Sequence, residues 1–157
     1  MSEMRVASFL GHRSINESDQ LKKRLCVLIE KLILEEGVST FLFGSKSQFD
    51  GLCLELVSQI QKRYPHIKRV YVRAEYPVIS ERYRGYLLEN YEETYYPKKI
   101  EGAGRLAYVE RNFEMIDKSD FCIVYFDNSN APTTRKSGTR VALDYIIKKK
   151  KKLYLFP

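Results

Sequence analysis

The chain has 157 residues, of which 44% are hydrophobic and 30% are charged. A chain of this length can form a core that needs no metal or disulfide to stabilise it. It contains no run of about 18 apolar residues, and its first residues lack the apolar segment and cleavage site of a secretory leader, so we expect neither a membrane protein nor a secreted protein. We therefore expect a cytoplasmic protein that binds no membrane, in which Cys26, Cys53 and Cys122 are buried thiols.

The net charge of +7 predicts an anionic partner, such as a nucleotide or a nucleic acid. Part of this excess comes from five consecutive lysines at 148–152. They lie at the predicted end of a helix, where lysines favour the helix dipole and point into water. We therefore interpret the lysine run as a solvated face rather than as a nucleic-acid patch.

In chain order, short apolar runs alternate with longer amphipathic ones. Runs that are apolar on both faces are typical of strands buried in a parallel sheet, and apolar residues spaced three or four apart predict helices. Five strands are predicted, at Arg5–Leu10, Val38–Phe43, Arg69–Ala74, Phe121–Phe126 and Lys152–Phe156. Helices are predicted between them, with apolar stripes that start at Leu21, Phe49, Leu106 and Val141.

This order of elements predicts an α/β fold in three layers, with a five-stranded, mostly parallel, doubly wound Rossmann-like sheet between helices. Right-handed crossovers give the strand order 3-2-1-4-5. Residues 1–157 form a single domain in this interpretation. Residues 75–105 are an irregular insert, too long for an ordinary connection, which holds six of the twelve tyrosines.

In such a sheet, ligands bind beyond the carboxyl ends of the strands, where the strand order reverses. That point lies between the first and fourth predicted strands. Small or polar turns follow the first, second and fourth strands, and a Ser-Gly-Thr triplet opens the last helix. Since these turns converge on one edge, we predict a phosphate-binding crevice made by Gly11, His12, Arg13, Gly44, Ser45, Lys46, Asp50, Asp127, Asn128, Ser137, Gly138 and Thr139.

The turn after the second strand has two interpretations. In the structural one, Gly44 supplies a positive φ angle and Ser47 forms a helix-capping pair with Asp50. In the functional one, Lys46 and the backbone amides hold a phosphate. A carboxylate at Asp50 repels phosphate, so this residue suits ribose hydroxyls instead. Neither a Walker P-loop nor a G-x-G-x-x-G motif is present.

Three further residues near this edge have alternative roles. Arg13 lies where a cation can hold an anion, so a binding role is favoured over a plain surface position. His12 is equally compatible with a ligand contact and with a satisfied hydrogen bond. Arg111 lies off the apolar stripe of the third predicted helix. It is either a site residue or part of an exposed ion pair with Glu110 or Glu114, worth under about 1 kcal/mol.

Several segments together resemble the SLOG superfamily, whose Rossmann-like fold is shared by the DNA-processing protein DprA and the LOG cytokinin-activating enzymes. The segments are FLGHRS, FGSKSQFDGL, VERNFEMIDKSDFCIVYFDNS and SGTRVALDYIIKKKKKLYLF. The short bacterial YpsA-like branch opens with the same Phe-x-Gly-His-Arg pattern, although it tends to have a glycine where Ser47 stands. The resemblance covers nearly the whole chain except residues 75–105, and it implies a nucleotide-type ligand at the strand-end crevice.

The resemblance implies less about catalysis. LOG enzymes cleave the N-glycosidic bond of a nucleoside monophosphate with a Glu-Arg pair that Glu110 and Arg111 resemble. They also carry P-G-G-x-G-T-x-x-E, of which only Gly138 and Thr139 remain, and Ala142 stands in place of the final Glu. Alanine cannot transfer a proton or stabilise a cation. The resemblance therefore implies a retained phosphate site without half of the catalytic pair.

Three functions remain open on this basis. The first is a nucleotide-binding sensor or regulatory module, without cofactor, metal or hydrolytic activity. The second is an N-glycosidic-bond hydrolase with Arg111, Glu110 and Glu75 as catalytic residues. The third is nucleic-acid binding by tyrosines of the insert that stack on bases, although such tyrosines more often pack against the protein. We also expect a homodimer that pairs through a helical face.

Overall fold

The computed structural model describes residues 4–127 and 137–157 and has the predicted α/β architecture. The strands are β1 (Arg5–Gly11), β2 (Val38–Phe43), β3 (Lys68–Val72), β4 (Glu93–Tyr95), β5 (Phe121–Tyr125) and β6 (Lys152–Phe156). The helices are α1 (Asp19–Glu35), α2 (Gln48–Gln61), α3 (Glu81–Leu87), α4 (Ala107–Lys118) and α5 (Gly138–Lys148). Among the described residues, no helix has the length and apolar character that crossing a membrane requires.

The sheet is parallel throughout and has the order β4-β3-β2-β1-β5-β6 over the described ranges. The order 3-2-1-4-5 is confirmed for the five predicted strands, and the predicted count of five is corrected to six. The added strand, β4, comes from the insert and pairs with Val70, Tyr71 and Val72 of β3. It has only three residues, which is too short to give a periodic pattern in the sequence.

Alternate residues of the central strands enter two different cores, which is why these strands are apolar on both faces. Phe9 of β1 packs in the cluster that includes α1 and α2, with its ring centroid 5.0 Å from that of Phe43. Leu10 packs in the cluster that includes α4 and α5. Complete burial of one such side chain contributes about 1.5–3 kcal/mol to the stability of the fold. The turns of the site therefore follow strands that are held firmly in the core.

Serine side chains cap the starts of four helices, with Ser80 at α3 and three others at α1, α2 and α5. The hydroxyl oxygens of Ser18, Ser47 and Ser137 accept hydrogen bonds from backbone amides in the first turns of α1, α2 and α5, at 3.0–3.1 Å. Each serine satisfies an amide that the helix leaves unpaired. Gly37 follows α1 with a φ of 70°, as expected for a glycine that ends a helix. These caps fix where each turn stops and each helix starts.

The insert is ordered rather than irregular. It forms α3, β4 and two short 3₁₀ turns at Lys98–Ile100 and Gly104–Leu106. Arg69 ties it to β3: its Nη2 atom lies 2.7 Å from Oε2 of Glu92, and its backbone amide donates to Oε1 at 2.8 Å. The extra strand and helix account for the unusual length of this connection.

Helix α4 is rotated relative to the prediction. Leu106, the predicted start of its apolar stripe, precedes the helix and is 57% exposed. Ile116 is buried, as predicted, but the other buried residues of the helix are Arg111, Glu114 and Met115. The prediction that Arg111 lies off the buried face is therefore wrong, because Arg111 is only 3% exposed.

The three cysteines are free thiols with different environments. Cys53 and Cys122 are buried, as predicted, whereas Cys26 is partly exposed. Burial raises the pKa of the Cys122 thiol to about 12, so this thiol stays protonated at neutral pH. Cys53 and Cys122 therefore serve as small apolar side chains of the core.

Candidate functional site

A cavity of about 720 Å³ lies over the carboxyl ends of β1, β2 and β3. This volume is within the range of about 300–1,000 Å³ that is typical of small-molecule sites. Its walls come from the turns after β1 and β2, the segment after β3, and the first turns of α4 and α5. The position agrees with the general rule that ligands bind at the carboxyl edge of an open parallel sheet.

Most of the residues predicted from the sequence meet in this cavity. The lining residues that were predicted are Gly11, His12, Arg13, Gly44, Ser45, Lys46, Glu75, Arg111, Ser137, Gly138 and Thr139. Three predicted residues, Asp50, Glu110 and Asp127, do not line it. Asn128 lies outside the described residues.

Arg13 and Lys46 are the exposed cations of the cavity wall. The turn that carries Arg13 is joined to the start of α2, because the amide of Gln48 donates to the Arg13 carbonyl at 2.9 Å. The turn that carries Lys46 is closed by the Ser45 hydroxyl, which donates to Oγ of Ser47 at 2.8 Å. Both cations thus stand on turns whose backbone is fixed, with their charged ends free to meet an anion.

His12 connects the ends of β1 and β5. Its Nε2 atom accepts a hydrogen bond from the Asp127 amide at 2.9 Å, and its ring lies 5.2 Å from that of Phe126. Since Nε2 is an acceptor, this nitrogen carries no proton in the structure. Of the two roles considered for His12, the structure contains the satisfied hydrogen bond, and Asp127 takes part through its backbone.

Asp50 lies beneath the turn after β2 and not in the cavity wall. Its Oδ2 atom accepts hydrogen bonds from the amides of Gly44 and Ser45, at 3.0 and 2.9 Å. These two amides are therefore occupied, which corrects the expectation that the turn amides as a group hold a phosphate. Burial raises the Asp50 pKa to about 7, although the two amide bonds and the nearby Arg111 act in the opposite direction.

Arg111 is a buried cation that joins two strand ends. Its Nη1 atom donates to the carbonyl of Gly44, beyond β2, and to the carbonyl of Val72, at the end of β3, at 3.5 Å for the latter. Its Nε atom donates to Oδ1 of Asn112 at 3.0 Å. Burial lowers its pKa, but arginine remains a cation at any physiological pH. The bonds of Arg111 are thus to carbonyls, rather than to Glu110 or Glu114.

The glycines at the ends of β1 and β2 are required by close packing. A Cβ atom on Gly44 would lie 2.6 Å from Sδ of Met115 and 2.7 Å from Cδ of Arg111. A Cβ atom on Gly11 would lie 2.4 Å from the ring of Phe49. Neither glycine is among the residues with a positive φ angle, so that explanation of Gly44 is wrong.

The start of α5 forms another part of the wall. Ser137 and Gly138 are exposed there, and Thr139 is buried. A Cβ atom on Gly138 would meet nothing within 4 Å, so its backbone opens directly onto free space. The first amides of a helix carry a partial positive charge that favours anions. Ala142, one turn further on, contributes a methyl group and no acid.

A group of aromatic and cationic residues also lines the cavity, and sequence reasoning did not assign it to the site. It includes Tyr71 and Arg73 from the end of β3, Tyr76 and Tyr83 from the insert, and Tyr108 from α4. The density of tyrosines in the insert was visible in the sequence. Their position was not, because it depends on how α3 and α4 pack against the sheet end.

The balance of charge on the walls favours an anionic ligand. Four cationic side chains, those of Arg13, Lys46, Arg73 and Arg111, and one carboxylate, that of Glu75, line the cavity within residues 4–127 and 137–157. Cations at a partly enclosed surface attract anions and bind them through charge-assisted hydrogen bonds. In these same ranges no group of three or more His, Cys, Asp or Glu residues could hold a metal ion.

Comparison with known protein families finds no family model that matches this chain, and comparison with curated proteins finds no match either.

Proposed function

We propose that this protein binds a nucleotide or nucleotide derivative in the cavity at the carboxyl edge of its sheet and acts as a sensor or regulatory module. The observation that carries the proposal is that three separate turns, at residues 11–13, 44–47 and 137–139, line one cavity. Each turn supplies a feature that suits phosphate: an arginine, a lysine and a helix start.

The phosphate group has a natural position between Arg13, Lys46 and the start of α5. The two side chains are exposed and line the same cavity, so they can close on an anion from two turns. Gly138 has no side chain, so an anion can approach the backbone there. Asp50 is beneath the turn and its Oδ2 atom is engaged by amides, so the repulsion expected from it is reduced.

Binding without hydrolysis is favoured by what the lining residues lack. Ala142 supplies no acid to the cavity, and Nε2 of His12 is occupied by the Asp127 amide. The one lining carboxylate of the described residues, Glu75, accepts a hydrogen bond from the Tyr108 hydroxyl at 2.8 Å. The same residues provide several cations for binding, so recognition is better supported than catalysis.

Isothermal titration calorimetry with mono-, di- and cyclic nucleotides tests this proposal. We expect saturable binding of at least one of them, and a loss of about tenfold or more for Arg13→Ala and for Lys46→Ala, since each removes a hydrogen bond to a charged group. Lys31→Ala, an exposed lysine of α1 outside the cavity, is the matched control and should bind as the parent does. No heat from any nucleotide, with protein folded by circular dichroism, contradicts the proposal.

A second candidate function is hydrolysis of the N-glycosidic bond of a nucleoside monophosphate, and the position of Glu75 in the cavity wall favours it. Water adds across the bond between the base and ribose C1′, giving free base and ribose 5-phosphate. Glu75→Gln should then abolish base release measured by liquid chromatography, whereas Glu55→Gln, an exposed residue of α2, should not. Absence of free base after long incubation of the parent protein removes this candidate.

A further inference from the structure

The cavity runs across neighbouring strand ends, with β2 between β1 and β3, and its lining residues are of two chemical kinds. One side is formed by the turns with Arg13 and Lys46 and by the start of α5. The other is formed by Tyr71, Tyr76, Tyr83 and Tyr108, which we name the tyrosine wall. The tyrosine wall is contributed by β3, the insert and α4, and so it is separate in sequence from the three turns of the first side.

We propose that the tyrosine wall is a nucleobase subsite, so that the ligand lies with its base against these rings and its phosphate at the opposite side. This inference rests on the proposed function. It adds that the tyrosine wall binds the base of the ligand and that the other end of the cavity binds its phosphate. It also excludes phosphorylated sugars without a base as the preferred ligands.

The wall is built as a fixed surface before any ligand enters. Arg73, which is 8% exposed, donates from Nε to the Tyr76 carbonyl at 3.2 Å and from Nη2 to the Pro77 carbonyl at 3.5 Å. Its Nη1 atom donates to Oγ1 of Thr94 in β4 at 3.1 Å. The backbone that carries Tyr76 is thereby attached to the edge of the sheet, which reduces the entropy that ligand binding must remove.

Two tyrosines of the wall are more than half exposed, and the Arg111 guanidinium lies 5.7 Å from the ring centroid of one of them, Tyr108. Tyr76 and Tyr108 both line the cavity, and each is 52% exposed. Tyr83 supports Tyr76 edge-to-face, with ring centroids 6.3 Å apart and planes at 86°. Exposed aromatic faces beside a polar pocket are suited to stacking with a planar ring, since every nucleobase has such a face.

Glu75 sets the direction of the ligand. Its carboxylate is held by the Tyr108 hydroxyl at 2.8 Å, so a negative charge is fixed among the tyrosines. Arg73 and Arg111 also lie beside the tyrosines, but both are buried and donate to oxygens of the protein. A phosphate is therefore attracted to the exposed Arg13 and Lys46 rather than to this end. A nucleotide has one anionic end and one aromatic end, and it matches both sides of the cavity in only one orientation.

Calorimetry with AMP and ribose 5-phosphate tests the subsite on the unmodified protein. The two compounds carry the same phosphate on the same sugar, and only AMP has a base. Stacking of one base on aromatic side chains corresponds to about a 5- to 150-fold difference in Kd, so we expect AMP to bind tighter by a factor in this range.

Variants of the wall give an independent result. Tyr76→Ala and Tyr108→Ala should each weaken AMP binding about 5- to 150-fold and leave ribose 5-phosphate binding unchanged, whereas Tyr76→Phe should keep AMP binding. Tyr96→Ala, which removes a tyrosine of the same insert outside the cavity, is the matched control.

The outcomes separate this inference from the proposed function. Equal affinity of the parent protein for AMP and ribose 5-phosphate overturns the base subsite and leaves the phosphate site standing, and this comparison needs no variant to fold. Binding of AMP that survives both alanine substitutions also overturns the subsite. If neither compound nor any other nucleotide binds, the proposed function fails and the subsite fails with it.

Discussion

The pH dependence of stability provides a direct test of the buried carboxylate beneath the cavity. Asp50 is 4% exposed; its Oδ2 atom accepts two amide bonds, and its Oδ1 atom has no hydrogen-bond partner among the described residues. Burial raises its pKa from 3.8 to about 7. Between these two values the folded protein holds the proton that the unfolded chain releases. The contribution of Asp50 to stability is therefore highest in acid and falls as the pH rises through this window.

The size of the effect follows from the difference in pKa. A rise from 3.8 to about 7 corresponds to about 4 kcal/mol over the whole window, at about 1.4 kcal/mol per pKa unit. About 2–3 kcal/mol of this falls between pH 5 and 8. Asp50→Asn keeps a side-chain oxygen for the amides of Gly44 and Ser45 but does not titrate. From pH 5 to 8 the parent protein should therefore lose about 2–3 kcal/mol of unfolding free energy relative to this variant.

Urea unfolding at pH 5, 6, 7 and 8, followed by circular dichroism, measures this difference. Other carboxylates, such as Glu92 and Asp117, whose pKa values are lowered by hydrogen bonds, titrate in both proteins and cancel in the comparison. The m-values should agree, so that midpoints compare directly. Parallel curves for the two proteins across this range would refute the assignment of a raised pKa to Asp50.

Three further predictions concern residues of the same site. Gly44→Ala should lower the free energy of unfolding by about 1–3 kcal/mol in urea, because its Cβ would lie 2.6 Å from Sδ of Met115; an unchanged midpoint contradicts this. Gly138→Ala should leave stability within about 0.5 kcal/mol, since its Cβ meets nothing within 4 Å, but should weaken nucleotide binding in calorimetry; equal affinity would argue against a ligand at α5. Arg111→Met should lower the free energy of unfolding by about 1–3 kcal/mol, because it leaves the carbonyls of Gly44 and Val72 without this donor. A variant that unfolds at the same temperature as the parent protein would contradict a stabilising role of Arg111.

The sheet could be predicted from the sequence because its pattern is local. A strand such as Phe121–Tyr125 is apolar and buried on both faces, and this property alone indicates burial between two helical layers. Serine followed by a helical pattern, as at Ser47 and Ser137, indicates where a helix starts after a strand. Strand ends and helix starts together give the positions of the three turns, so their meeting at one edge followed from topology.

The rest of the site depends on contacts between distant parts of the chain. Arg111 donates hydrogen bonds to carbonyls that lie 67 and 39 residues away in the sequence. The residues around it show no pattern that indicates a buried charged side chain. The rotation of α4 that buries it also brings Tyr108 to the cavity. β4 pairs with Val70–Val72 of β3, and Glu92 beside it bonds to Arg69 across 23 residues, a contact that periodicity does not reveal. These features arise from tertiary packing, which a local sequence pattern does not contain.

Asp50 and Arg111, the two buried ionisable groups around Gly44, account for the fixed conformation of this turn. The Gly44 amide donates to Asp50 at 3.0 Å and its carbonyl accepts from Arg111, so a single peptide segment is held from both sides by ionisable groups. Buried charges of opposite sign contribute little to stability compared with apolar side chains of similar size, because both must lose their hydration. The contribution of Asp50 and Arg111 here is to hold the backbone in one conformation. They fix the backbone that leads to Lys46, and in the proposed function a cation whose position is set before the ligand arrives gains affinity for phosphate.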